Sequence, residues 1–329
     1  MGAKDVRTRL WRNGILEKEN FPLEDVSDYI CEPDCLVWAD LCSPDEAQLR
    51  QLAEELSLDQ HAIEDAVEMH ERPKATRYES HLFMTTYAIE HDKQTSELNI
   101  GRVSAFSLKH GFVTVRLDDT FDIESVVQRW DDNADLMKFG PRALIHGLLD
   151  EIIDGYFDAV DSLDTDIEKI EDVLFDENSK IATEVQRQTF HLRRSLVMAR
   201  KAILPMREVV NTVMRRATED DTSSELTPYF EDLYDHVLRA AEWTESLRDM
   251  ITSIFETNMA LADNRMNVVM KKLTSWAAII AVPTAITGWF GQNVPYPEFG
   301  KTAGVWLSTI SIALIAAVLY VMFKRKDWL

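Results

Sequence analysis

The alternation of apolar and charged positions divides the chain into three stretches. Up to about residue 140, short runs of β-branched and aromatic residues are separated by polar segments. Cys35–Asp40 (CLVWAD), His81–Ile89 (HLFMTTYAI), Val103–Leu108 and Phe112–Arg116 (FVTVR) read as strands. Lys109-His110-Gly111 is a hairpin turn between the last two. Ser43-Pro44-Asp45-Glu46 predicts a helix start, with Ser43 as N-cap, Pro44 at the first helical position and Glu46 at the third. These signals predict an α/β domain over residues 1–140.

The pattern then turns helical. No glycine occurs from Tyr156 to Thr287, and only Pro205, Pro228 and Pro283 interrupt that stretch. A first helix is predicted over Asp150–Asp176, a turn near Asp176–Ser179, and a second helix ending near Ala217. Residues 141–226 are thus a helical hairpin closed by the polar connector Thr218–Thr227. Thr227 and Pro228 then supply an N-cap and a first helical residue. Nothing breaks the pattern before Pro283, which lies within the first span; continuous from Pro228 to Phe290, the helix has about 63 residues and about 95 Å. A helix of this length needs neighbours. A stalk that is also a membrane span suggests a symmetric oligomer around an axis.

The third stretch is apolar. No charge lies between Leu273 and Pro297, nor between Thr302 and Phe323. Thr302–Phe323 is apolar all round and long enough to cross a bilayer, at about 33 Å of helix. Leu273–Phe290 is shorter and richer in small and hydroxyl residues, which suit close helix contacts or a polar pore face. The asymmetry favours a lining helix (within 227–290), a connector (291–301) and a lipid-facing helix (302–323). Lys271 and Lys272 flank one side, and the tail 324–329 carries Lys324, Arg325 and Lys326. By the positive-inside rule both termini are cytoplasmic and the connector is external. Met1–Arg12 is charged and does not read as a signal peptide.

Charge sharpens this division. The chain has 329 residues and a net charge of −22. Of its 57 acids only Glu298 and Asp327 lie beyond residue 272, and of its 35 bases only Lys301, Lys324, Arg325 and Lys326, which leaves −24 on the first 272 residues. Such a body is not a bulk-electrostatic nucleic-acid binder. Cys31, Cys35 and Cys42 have no paired spacing, which argues against a disulfide framework or a zinc site. His61 and Asp65 stand four apart, as on an ordinary surface helix. No Walker motif or nucleophile–base arrangement is present, so neither an enzyme nor an ATP-driven pump is expected.

At Tyr229–His236 (YFEDLYDH), Asn264–Thr274 (NRMNVVMKKLT) and Gly291–Pro297 (GQNVPYP) the sequence resembles the CorA family of divalent-cation channels. Arg72-Pro73-Lys74, Leu204-Pro205-Met206-Arg207-Glu208 and the ending Lys324–Leu329 resemble it too, so the likeness runs through the whole chain. The resemblance implies an α+β membrane protein: a cytoplasmic α/β domain, a long helical stalk, two C-terminal spans and a funnel-shaped homopentamer in the plasma or inner membrane. It implies passive movement of Mg2+, and often Co2+ or Ni2+. Its partners are other copies of itself, the lipid bilayer and divalent cations; no cofactor is expected beyond Mg2+ as substrate and regulator. The family signature Gly-Met-Asn is here Gly291-Gln292-Asn293. Relatives with other middle residues include ZntB-type zinc transporters, so Zn2+ or another transition metal is the alternative cargo.

Asn fits a pore mouth for Mg2+, because its amide oxygen accepts hydrogen bonds from the waters the ion holds tightly. Gly291 and Asn293 equally suit a helix end. Asn267, Met270, Leu273, Ala277, Ala281, Thr284 and Gly288 recur every three or four residues, on one helix face. The resemblance makes this the pore face, with Met270 and Leu273 as a hydrophobic gate; a bundle seam gives the same pattern. Asp150–Glu177 holds twelve acids and one base, Lys169, which makes it a solvated face or a cation-gathering one. The resemblance also assigns Asp232 a regulatory metal site, with Asp92 as its partner from a neighbouring subunit. Lys324, Arg325 and Lys326 form a basic collar or contact lipid headgroups. A membrane-anchored sensor or scaffold without a pore is the reading from another class.

Overall fold

The computed structural model describes residues 5–68, 71–92, 97–173, 179–217, 225–292, 295 and 300–329. Contacts divide the chain into two units, Met1–Ile254 and Phe255–Leu329.

The first unit is built on a seven-stranded sheet. Its strands are β1 (Asp5–Arg12), β2 (Ile15–Glu19), β3 (Cys35–Cys42), β4 (Lys74–Arg77), β5 (Leu82–Asp92), β6 (Glu97–Ser107) and β7 (Gly111–Arg116), in the order β2-β1-β3-β7-β6-β5-β4. Only the β3–β7 pair is parallel. The anticipated strands are present, and so is the β6–β7 turn, closed by the Leu108 N–H donating to the Gly111 carbonyl at 2.8 Å. Strands β1, β2 and β4 were not legible. β1 carries charges at Asp5, Arg7 and Arg9, β2 and β4 carry charges without alternation, and β2 is exposed throughout.

Short helices α1 (Val26–Ile30), α2 (Glu46–Glu55) and α3 (Gln60–Val67) follow the first strands. Leu49, Leu52, Ala62 and Ala66 share a core with Val37, Ala39, Leu41, Val113 and Val115. The cap of α2 differs from the sequence reading. It is Asp45, whose carboxylate accepts from Gln48 N–H at 2.8 Å while the Gln48 side chain accepts from Asp45 N–H. Ser43 lies outside the helix at φ +50°, its hydroxyl donating to the Leu117 carbonyl. The aspartate two residues on completes a capping box, which Ser43 cannot.

Alternate residues of β3 and β7 meet helices α4 (Ile123–Asp132) and α5 (Pro141–Val173). Trp130 of α4 packs edge-on against Trp38 at 4.9 Å, with Trp11 and Phe112 around it. Its indole N–H donates to the Leu144 carbonyl. Here α5 passes so close that a Cβ on Gly147 would stand 2.5 Å from the Trp130 ring. A buried polar network lies beside these rings. Arg116 reaches Asp40 at 2.7 Å, Thr114 donates to Asp40 at 2.6 Å, and Trp38 donates to Thr114.

Helix α5 begins at Pro141, nine residues before the expected start, because its first turns pack on the sheet and on α4 rather than forming a connector. Helix α6 (Ser179–Ala217) packs on α5 and on β4, β5 and β6. The expected turn 176–178 and most of the connector 218–224 lie outside the described residues. Helix α7 runs from Thr227 to Phe290 without interruption, through Pro283. Its early residues Phe230, Leu233, Val237, Ala240, Leu247 and Ile251 are buried in the first unit.

The second unit contains the remainder of α7 and helix α8 (Thr302–Arg325). Both helices are long and apolar enough to span a membrane. Each has one shielded stripe: Ser275, Ala278, Ile279, Val282 and Ile286 on α7, and Gly304, Ser308, Ile312, Ala316 and Phe323 on α8. After α8 the Trp328 N–H donates to the Phe323 carbonyl and the two rings stack at 5.6 Å, closing the helix with Asp327 at φ +55°.

Candidate functional site

The residues expected on a pore face all lie on one side of α7, and that side is open. Asn267, Met270, Leu273, Ala277, Ala281, Thr284 and Gly288 are exposed. At about 100° per residue they stand opposite the shielded stripe Ser275–Val282–Ile286. Met270 is 50% and Leu273 62% exposed, and a Cβ on Gly288 would meet nothing within 4 Å. Thr284 donates its hydroxyl to the Ile280 carbonyl, so polar capacity on this face is tied to the helix backbone. A bundle seam within the chain would bury the stripe. The single chain leaves it unpartnered.

The helix ends where the signature begins. Gly291 N–H donates to the Thr287 carbonyl at 2.8 Å, and Gln292 N–H to the Trp289 carbonyl. A Cβ on Gly291 would stand 2.9 Å from the Thr287 oxygen, which requires glycine here. Gln292 is exposed. Asn293 lies outside the described residues. Lys324, Arg325 and Lys326 are exposed at the end of α8, with the Lys324 ammonium 5.8 Å from the Tyr320 ring.

Asp232 lies in the second turn of α7, with its side chain 68% exposed and His236 Nε2 3.6 Å away. It shares a 200 Å³ pocket with Arg129, His146, Asp150 and Tyr229. His146 packs edge-on against Tyr229 and Phe230. Burial pushes His146 below the ordinary imidazole value, against the pull of Asp150 and Asp232. Arg129 binds Asp150, Glu151 and Asp154 of α5, and these charges hold its guanidinium protonated against the effect of burial. His146 and Arg129 were not identified from sequence. The sequence reading started the helix at Asp150, which left His146 off it, whereas in α5 the two stand four apart on one face. Asp92 ends β5, half-buried, with Glu97 opposite it in register.

Two other groups prove structural. His61 is exposed beside Asp59, and Asp65 pairs with Lys74 at 2.7 Å. Asp65, Glu68 and Glu71 bring carboxylate atoms within 4.8 Å of one another, but the Lys74 ammonium also lies 3.0 Å from Glu71. Burial opposes the Lys74 charge, and the hydrogen bonds it donates to Asp65 and Glu71 outweigh that cost. Arg102 donates to the backbone carbonyls of Asp65 and Glu68. No disulfide joins the three cysteines, of which Cys31 is exposed, Cys35 buried and Cys42 half-buried.

A family model described as CorA-like Mg2+ transporter protein matches residues 34–325. The chain belongs to the CorA-like Mg2+ transporter family. It is 31% identical over 272 residues to the cobalt/magnesium transport protein CorA of Thermotoga maritima, covering 81% of this chain and 76% of that one. It is 28% identical over 312 residues to the putative metal ion transporter YfjQ of Bacillus subtilis, covering 94% of each. The solved CorA magnesium transporter of Methanocaldococcus jannaschii superposes over all of both chains with a TM-score of 0.78 at 22% identity. The ZntB cytoplasmic domain of Vibrio parahaemolyticus gives a TM-score of 0.61 at 8% identity, over 78% of this chain and 98% of that one. The last two likenesses speak to the fold alone. The CorA architecture of an N-terminal α/β domain, a long helix and two C-terminal apolar helices is thus present in this two-span membrane protein.

Proposed function

We propose that this CorA-family chain assembles as a homopentamer whose α7 helices line a channel for Mg2+, with Co2+ or Ni2+ as further cargo. The observation that carries this reading is the open stripe from Asn267 to Gly288. It is exposed in the single chain, while the opposite face of the same helix is shielded. A ring of copies gives that stripe an axis to face. A pure anchor has no use for its Asn267 and Thr284. Membrane potential drives entry, because a divalent ion gains about 4.6 kcal/mol per 100 mV on moving inward. Both termini are cytoplasmic, and Gly291, Gln292 and Asn293 form the outer mouth. Met270 and Leu273 close the inner constriction by excluding water.

Regulation follows from charge. Asp232 is exposed on α7 and free to meet a carboxylate of a neighbouring copy, for which Asp92 is the candidate. Two carboxylates brought together repel until a divalent ion neutralises them, so high internal Mg2+ stabilises the closed ring. Asp232→Ala with Asp92→Ala is expected to abolish the dependence of closure on internal Mg2+. The basic collar Lys324–Lys326 faces lipid phosphates or the cation path.

A second reading, a Zn2+ or other transition-metal transporter, is favoured by one observation: Gln292 stands where the family signature has Met. Flux into proteoliposomes with Mg2+, Co2+, Ni2+ and Zn2+, for wild type and Asn293→Ala, tests both. Mg2+ flux lost in Asn293→Ala supports the channel. Zn2+ flux without Mg2+ flux supports the second reading, and no flux of any of these ions removes both.

A further inference from the structure

Helix α6 carries an outer face unlike the rest of the acidic first unit. Between Arg187 and Arg207 it has no acid. Phe190, Val197 and Leu204 recur every seven residues along that face and are 69%, 40% and 40% exposed. Arg193, Arg194, Arg200, Lys201 and Arg207 flank them, all exposed. Arg200 is held by Glu245 of α7 at 3.2 Å, whereas Arg194 and Lys201 form no ion pair with a described residue. Single exposed apolar residues need no explanation, but three at this spacing form one stripe, rimmed here by bases.

The neighbouring helix of the same hairpin offers the complement. On α5, Asp158, Asp161, Thr165, Glu168 and Asp172 share one face and are all exposed. The base beside them, Lys169, is turned onto Asp166 at 2.8 Å. Asp161 and Glu168 form no ion pair with a described residue. Their spacing matches that of α6 when the two helices run antiparallel. Forwards along α5, Asp161 is followed four residues on by Thr165 and three further on by Glu168. Backwards along α6, Lys201 is followed four residues back by Val197 and three further back by Arg194. Asp161 then meets Lys201, Glu168 meets Arg194, and the small Thr165 leaves room for Val197. The two charges on each helix are about 10 Å apart along its axis. All six side chains are exposed in the single chain, so the match is available to a second copy.

We infer that the α6 face of one copy docks antiparallel on the α5 face of the next. This rests on the ring assembly proposed above and names a contact that holds it. The contact is heterologous, and because each chain carries both faces it repeats around a closed ring. One exposed ion pair contributes little. Here two pairs act together with the covering of Phe190, Val197 and Leu204, at every junction of the ring.

The test is crosslinking of the full-length protein in lipid nanodiscs. A short thiol-specific bifunctional reagent is applied to Thr165→Cys with Val197→Cys, on a Cys31→Ser background that removes the exposed native thiol. The expected result is a covalent ladder of two and more chains on denaturing gels, with none from the background or from either new cysteine alone. Asp161→Lys with Glu168→Lys places like charges in the contact and should reduce the ladder by roughly tenfold. Adding Arg194→Glu with Lys201→Glu should restore it. Glu54→Lys with Glu64→Lys, an equal charge change at exposed acids of α2 and α3, should leave it unchanged. No ladder from the paired cysteines, an equal ladder from either alone, an equal loss in the α2 and α3 variant, or no rescue by the compensating pair would overturn the inference. Native mass measurement on the same nanodiscs separates this contact from the assembly. Five copies without a ladder overturn the α5–α6 contact and leave the homopentamer standing, whereas single copies overturn both.

Discussion

The two units put the same side chains to opposite uses. In the first, Leu144, Leu148 and Leu163 are fully buried and charged residues cover the outside. In the second, Leu307, Leu314 and Val318 are 53%, 63% and 57% exposed, and no charge lies between Thr302 and Phe323. Burial in the first unit removes apolar surface from water. In the second, the lipid is itself the apolar medium, so outward-facing leucine is at home and polar groups must turn inward. Exposure therefore carries a different meaning on each side of Ile254. An exposed Phe190 on α6 is an exception to its surroundings, whereas an exposed Leu314 follows the rule of its own.

The comparison breaks first at buried charge. Asp40 and Arg116 are 0% and 5% exposed and hold each other within the sheet. Asp40→Ala leaves the guanidinium without its carboxylate and is expected to destabilise the first unit by about 3–5 kcal/mol in chemical denaturation. The exposed pair Arg50–Glu46 is its control, where Glu46→Ala should change stability by less than about 0.5 kcal/mol. Equal effects would mean that the sheet network is not structural.

Next comes the leucine contrast itself. Leu144→Ala, at a fully buried site on α5, should cost about 2–5 kcal/mol. Leu314→Ala on α8 should leave the melting temperature in lipid nearly unchanged, since the site faces outward. A large loss at Leu314 would show that this face is packed against protein, and would move it from lipid to an interface between copies. A third substitution tests the open stripe. Met270→Ser with Leu273→Ser makes the proposed constriction polar and should raise Mg2+ leak at high internal Mg2+ by roughly tenfold, a change of ~1.4 kcal/mol. Leak confined to wild-type levels would place the gate elsewhere.

The larger elements of this fold were legible because their periodicities are strong. Helix α7 was bounded from Thr227-Pro228 and the unbroken pattern to Phe290, and it is found at Thr227–Phe290. The central strands announced themselves through runs such as FVTVR. The edge strands β2 and β4 did not, since an edge tolerates charge and alternation fails. The start of α5 is harder to read, because residues 141–149 are nearly uncharged and the polar face that marks a surface helix begins only at Asp150. The stripe from Asn267 to Gly288 was legible as one face, and its openness became visible only when the opposite stripe was seen to be shielded. Arg129 and His146 around Asp232 were hidden, because α4, α5 and α7 bring them together from positions a hundred residues apart.

The smallest expected effect separates the units by pH. His146 is buried against Tyr229 and Phe230 and faces Asp150, Asp232 and Arg129. Burial holds it below its ordinary value of 6.5. Below that value the unfolded chain binds a proton that the folded chain resists, so stability falls as pH drops. The loss should begin as pH falls through about 6.5. The melting temperature of the first unit should therefore decline modestly from pH 7.5 to pH 5.5, and His146→Phe, which keeps a ring and cannot titrate, should flatten that decline. The second unit has no histidine, so its α8 mutants should share the wild-type profile. The same proton bears on Asp232. A divalent ion there removes the negative charge that favours protonated His146, so proton and cation oppose each other and internal Mg2+ should close the channel less effectively at pH 5.5 than at pH 7.5. His146→Phe should remove most of that difference. An unchanged pH dependence in the variant would separate His146 from the sensor and leave it a packing residue.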